Sequence, residues 1–286
     1  MKYTLINANT DLGVHIDGTN KGPNLITNHF KQYETITIEK NNDYQKNKDK
    51  HNLAKNLDEI NKFNKKLYDT VTNLLENNTF PITIGGDHSI AIPTALASND
   101  YHKNLGIIWI DAHTDYNTFE STITGNIHGL PLAAINNYYN EKLTNILTNN
   151  YINPKNTVIV GARSIDPLEL ENLKNNNITY FTTEDIKKEG INNILDKAFK
   201  IAEENTNGIH ISYDLDYIDP EICPGVSVPE QNGIDLETAY STMEYLNNKK
   251  DIIKSLDLVE YNPLNDIDNK TKDIAINLLN IFINEK

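Results

Sequence analysis

With 40 Asp and Glu against 26 Lys and Arg, the 286-residue chain has a formal net charge of -14, which disfavours a nucleic-acid or anionic-membrane surface and modestly favours the approach of a cationic small molecule. Its single cysteine, Cys223, excludes an intramolecular disulfide and a cysteine-rich zinc site and fits a reducing compartment. No apolar stretch approaches the ~20 residues of a membrane helix, and the first residues lack the pattern of a secretory leader, so the expected location is the cytoplasm.

The length suits one α/β domain, residues 1–286. Residues 3–6 begin a strand, and residues 11–23 form a loop with turn chemistry at Asp17-Gly18 and Gly22-Pro23. Residues 35–39 read as a second strand, and the polar segment 40–50 as a solvated loop, because it has too little apolar content for a buried face. Leu53, Leu57, Ile60, Phe63, Leu67, Val71 and Leu74 then recur at spacings of three and four, the stripe of an amphipathic helix packed on a sheet. Further strands are expected at 80–84, 105–110, 157–160, 179–181, 209–213 and 252–259. Helices are expected at 89–97, from Leu130 onward, in the later intervals and around 274–282. This alternation predicts an α/β fold with a doubly wound, mostly parallel sheet and helices on both faces.

In such a sheet, ligands bind beyond the carboxyl ends of the strands. The apolar run Ile107-Ile108-Trp109-Ile110 leads into Asp111-Ala112-His113-Thr114-Asp115, and if the chain stays extended, period two puts Asp111, His113 and Asp115 on one side. Downstream, another apolar strand leads into Asp214-Leu215-Asp216. The strand at 80–84 ends in Gly85-Gly86-Asp87-His88-Ser89, where Asp87 reads as the cap of the next helix. Two more strands end in Gly161-Ala162-Arg163 and Glu260-Tyr261-Asn262-Pro263. Asp111, His113, Asp115, Asp214, Asp216 and His88 together offer four carboxylates and two imidazoles with no thiolate, a set that suits hard or borderline divalent ions. One ion leaves carboxylates unpaired, whereas two ions that share aspartates offset the charge and can activate a water.

These motifs, together with Gly125-Asn126-Ile127-His128-Gly129 and Asp219-Pro220, stand in the order found in the ureohydrolase family, and the chain resembles its arginase branch most closely. The likeness is strong over residues 80–286 and looser before them. It implies two Mn2+ per chain, with His88 and Asp115 on one ion, His113 and Asp216 on the other, and Asp111 and Asp214 bridging. It also implies conversion of L-arginine and water to L-ornithine and urea, by attack of a metal-bridging hydroxide on the guanidinium carbon, in a homotrimer or homohexamer. A protonated guanidinium requires a strong nucleophile, a carboxylate to hold it and a proton for the departing amine. Glu260 matches the family's guanidinium-binding glutamate and His128 its proton-shuttling histidine, and Asp115 counts with them as catalytic. Asn117, Thr122 and Thr124 match contacts to the substrate α-carboxylate, and Asp166 matches an acid near the α-amino group.

Three places depart from the arginase pattern. Ser164 stands where arginases usually carry an acid, Val228 where many carry threonine, and Pro224-Gly225-Val226-Ser227 is more like the formimidoylglutamase branch. The alternatives are therefore agmatinase, formimidoylglutamase or another guanidino-substrate ureohydrolase. A non-enzymatic descendant is disfavoured, because no ligand has been lost.

Overall fold

In the strand Gly106–Ile110 (β4), Ile107 and Trp109 enter one apolar cluster while Ile108 and Ile110 enter another, so both faces of the sheet are buried. The computed structural model describes residues 2–49 and 51–284. Its other strands are Tyr3–Asn9 (β1), Glu34–Glu39 (β2), Phe80–Gly85 (β3), Thr157–Ala162 (β5), Thr179–Thr182 (β6), Ile209–Asp214 (β7) and Ile253–Val259 (β8). They form one sheet in the order β2-β1-β3-β8-β7-β4-β5-β6, and every pairing is parallel. The expected doubly wound α/β architecture is therefore present.

The helices are Gly22–Thr27 (α1), Leu57–Glu76 (α2), Ala91–His102 (α3), Pro131–Ile135 (α4), Glu141–Thr144 (α5), Pro167–Asn175 (α6), Thr183–Glu189 (α7), Ile191–Ala202 (α8), Leu236–Asn248 (α9) and Lys270–Ile283 (α10). Apolar residues of α1, α8, α9 and α10 cover one face, and those of α2, α3 and α4 cover the other. None of the described helices is long and apolar enough to cross a membrane.

Several local expectations need correction. Leu53 lies outside α2 and is 44% exposed, so the buried stripe begins at Ile60. Gly22-Pro23 opens α1 rather than forming a turn, since proline tolerates the first helical turn, where its missing N–H costs nothing. The helix expected from Leu130 stops at Ile135. The polar segment 40–49 is irregular but not simply solvated; Lys50 lies outside the described residues. The Lys46 side chain is only 6% exposed there, and its Nζ pairs with Asp11 and donates to the carbonyls of Asp11 and Ile16.

Candidate metal centre

Close backbone packing aims the first ligand. A Cβ on Gly86 would meet the Thr10 carbonyl oxygen at 1.7 Å, so only glycine lets β3 turn against the end of β1. Asp87 then caps the turn, as expected, accepting from the backbone N–H groups of Ser89 (3.1 Å) and Gly13 (3.0 Å). His88 is thereby driven into the interior at 1% exposure. Its ring stacks on Trp109 with centroids 3.9 Å apart, and Nε2 lies 2.8 Å from Ser212 Oγ.

Asp111 follows β4 directly and is held through both oxygens, by Trp109 Nε1–H at 2.9 Å and the His113 backbone N–H at 2.6 Å. The chain does not stay extended through Asp115, whose φ is +48°. This left-handed turn brings the Asp115 carboxylate toward His88 instead of continuing the period-two pattern. At the end of β7, Asp214 accepts from the Asp216 N–H at 2.8 Å, and Asp216 accepts from the Ala112 N–H at 3.2 Å.

All six expected ligands converge. His88 Nδ1 is 3.0 Å from Asp111, 3.2 Å from Asp115 and 3.1 Å from Asp214, and His113 Nδ1 is 2.9 Å from Asp216 and 3.5 Å from Asp111. Their donor atoms make two ion-sized groups, His88 with Asp111 and Asp214, and Asp111 with His113 and Asp216, so Asp111 belongs to both. His88 Nδ1 makes no hydrogen bond despite its three carboxylate neighbours. A buried nitrogen lone pair facing three anionic oxygens is untenable unless a proton or a cation stands between them.

Charge balance leads to the same conclusion. Burial together with repulsion from Asp216 and Asp111 pushes Asp214 well above the usual carboxylate range, and burial with Asp111 pushes Asp216 up to about 6. Burial opposes charge on both histidines, yet their aspartate neighbours outweigh it and hold both pKa values well above normal. The bare site is thus a set of acids and bases sharing protons, and divalent cations can replace those protons. The residues present fit such ions.

A cavity of about 250 Å³ opens onto this set. His113, Asp115, Asp214 and Asp216 face it, while His88 and Asp111 lie behind them. Glu260, at φ +68°, turns its side chain back so that Oε1 accepts from the His88 N–H at 2.8 Å and lies 3.0 Å from His128 Nδ1. Its other oxygen, Oε2, is buried without a partner. Asn117, Thr122, Thr124 and Asp166 line the same cavity, and Asn117 Nδ2 donates to Asp166 Oδ2 at 3.3 Å.

The sequence model of the Arginase family matches residues 1–283. The chain belongs to the arginase family. Among its relatives, the arginase of Brevibacillus brevis is 36% identical over 233 residues, which cover 81% of this chain and 78% of that one. The native arginase structure from Bacillus caldovelox superposes with a TM-score of 0.92 at 32% identity, covering 100% of this chain and 99% of that one. Entamoeba histolytica arginase, solved in complex with L-ornithine, gives 0.91 at 31% identity, with 99% of each chain covered. Arginase-family likeness therefore extends through the first 80 residues, which the motifs alone match only loosely. Membership makes the protein a hydrolase of the guanidino C–N bond.

Within this arginase-family cavity, three lining residues escaped the sequence reading: Glu169, Glu230 and His15. Glu169 accepts from the N–H groups of Tyr116 (2.7 Å) and Asp166 (3.1 Å), and burial lifts its pKa to about 7. Its signal was legible as Asp166-x-x-Glu169, the spacing of a capping pair at the start of α6. Glu230 and His15 lie in irregular segments, where no periodicity marks them.

Proposed function

We propose that the protein binds two manganese ions through His88, Asp111, His113, Asp115, Asp214 and Asp216 and converts L-arginine and water to L-ornithine and urea. The observation that carries this reading is the buried, unpartnered Oε2 of Glu260 in the cavity shared with the ligand set. Such an oxygen calls for a cationic hydrogen-bond donor, and a guanidinium presents several in one plane. Ions held by the six ligands would neutralise the aspartates and supply a water of lowered pKa that could act as nucleophile near neutral pH.

The chain's own groups then divide the remaining work. Glu260 holds the guanidinium. Asp115 faces the cavity and accepts a proton from the attacking water. His128, beside Glu260, supplies a proton to the departing δ-amine as the C–N bond breaks. Thr122 Oγ1 accepts from the Gly125 N–H (3.0 Å) and Thr124 Oγ1 from the Asn126 N–H (3.2 Å), which leaves each hydroxyl proton available to a substrate α-carboxylate. Asp166 is placed for the α-ammonium, and its bond to Asn117 sets the two recognition elements side by side.

The reading includes a cytoplasmic setting, which the single buried cysteine suits, and assembly as a homotrimer or homohexamer, which rests on the resemblance. An activity panel on manganese-loaded protein tests it, with arginine, agmatine, guanidinobutyrate and formimidoylglutamate as substrates. Urea and ornithine should form from arginine in clear preference. Preference for agmatine or formimidoylglutamate would move the protein to those branches.

A further inference from the structure

The two imidazoles of the ligand set share one arrangement. His88 turns Nδ1 toward aspartates and sets Nε2 against Ser212 Oγ at 2.8 Å. His113 turns Nδ1 toward Asp216 at 2.9 Å, and its Nε2 lies 3.5 Å from Oε1 of Glu230. A histidine that gives Nδ1 to an ion carries its proton on Nε2, and an acceptor for that N–H fixes both tautomer and ring plane. His88 is also held by the Trp109 stack. No ring stacks on His113 among the described residues, and at 24% side-chain exposure it depends more on a polar partner.

Glu230 is itself held in place. Ser164, whose backbone bridges to His113, donates its hydroxyl to Glu230 Oε1 at 3.1 Å. Arg163 donates to the carbonyls of Glu230 (3.0 Å) and Gln231 (3.1 Å) and to those of Asp216 (2.6 Å) and Tyr217 (3.3 Å). One guanidinium therefore ties the loop carrying Glu230 to the segment carrying Asp216. Position 164 thus carries a hydroxyl, beside His113, that binds an acid arriving from another loop.

We propose that Glu230 is the positioning residue of His113, accepting from Nε2–H while the Ser164 hydroxyl holds the carboxylate. This rests on the reading of the six residues as metal ligands, and it assigns Glu230 no contact with substrate.

The test compares wild type, E230A, S164D and S164D/E230A. Manganese is titrated calorimetrically into metal-free protein, circular dichroism checks the fold, and steady-state kinetics on arginine are run at saturating manganese. E230A removes the acceptor and should keep its fold and one ion at wild-type affinity while the other ion weakens ~10–100-fold, with KM for arginine unchanged. S164D in the E230A background should restore most of that loss. Unchanged affinity for both ions in E230A overturns the proposal, as does failure of S164D to restore it. A raised KM with both ions bound as in wild type also overturns it, placing Glu230 on the substrate. Wild type that binds two ions without hydrolysing arginine removes the proposed reaction and leaves this inference standing; wild type that binds no ion removes both.

Discussion

Glu260 and His128 share one oxygen: Oε1 lies 3.0 Å from His128 Nδ1 and also accepts the His88 backbone N–H, which leaves Oε2 for a ligand. Glu260→Gln keeps a carbonyl oxygen for that N–H but removes the charge. Hydrogen bonds to charged groups contribute ~1.5–3 kcal/mol, so kcat/KM for arginine should fall roughly tenfold to a hundredfold with metal content unchanged. Burial works against a proton on His128, but Glu260 outweighs it and raises the pKa. Without that carboxylate the histidine loses its proton at lower pH, so the alkaline limb of the rate profile should move toward acid. Equal activity and an unmoved limb in the variant would count against both roles.

His128→Ala should retain both ions and the fold while turnover drops ~10²–10⁴-fold, the usual contribution of a general acid or shuttle. Metal analysis beside single-turnover kinetics checks this, and unchanged turnover would reduce His128 to a packing residue.

Metal uptake should release protons. Asp214 is pushed well above its usual range and Asp216 up to about 6, and His88 and His113 both hold protons above their usual pKa. Ions must displace those protons, so affinity should rise with pH through and above about 6 and fall below it. Titration of manganese into weakly buffered protein with a pH indicator reads the release directly; an affinity independent of pH would contradict the charge balance described above. Asp111, shared by both donor groups, is the ligand whose replacement by alanine should lower occupancy of both ions.

Asp166 also stands at the N-cap position of α6, so alanine there would confuse recognition with helix stability. Asn is an equally good cap, and it removes the charge while turning one carboxylate oxygen into an amide donor, which makes Asp166→Asn a cleaner variant than alanine. It should cost roughly tenfold to a hundredfold in kcat/KM for arginine and much less for guanidinobutyrate, which has no α-amino group. Equal losses on both substrates would show that Asp166 does not read the ammonium.

Periodicity made most of this molecule legible. The alternation of Ile107, Ile108, Trp109 and Ile110 specified a strand buried on both faces, and the Ile60 to Leu74 stripe specified the helix covering one of them. Ligand identities were legible because charged residues directly after apolar strands have no structural reason to be there in such number. The left-handed turns at Asp115 and Glu260 were not, since aspartate tolerates a positive φ without announcing one, glutamate seldom adopts it, and the surrounding packing imposes both. Lys46 read as a solvated charge because its partner Asp11 and its two carbonyl acceptors lie about thirty or more residues away in sequence. The same distance hid the meeting of Glu230 with Ser164, 66 residues apart.

Strand order carries a consequence in time. β8, made after the other seven described strands, lies between β3 and β7, in the middle of the sheet. His88 follows β3 on one side of that gap, while Asp111 and His113 after β4, and Asp214 and Asp216 at the end of β7 and just past it, stand on the other. A growing chain therefore carries two partial sheets with open edges and a divided set of ligands until residue 259 is made. The ligand set comes together only once β8 has joined the two parts, and a chain that stops short of β8 exposes two parallel edges that invite pairing with other unfinished chains.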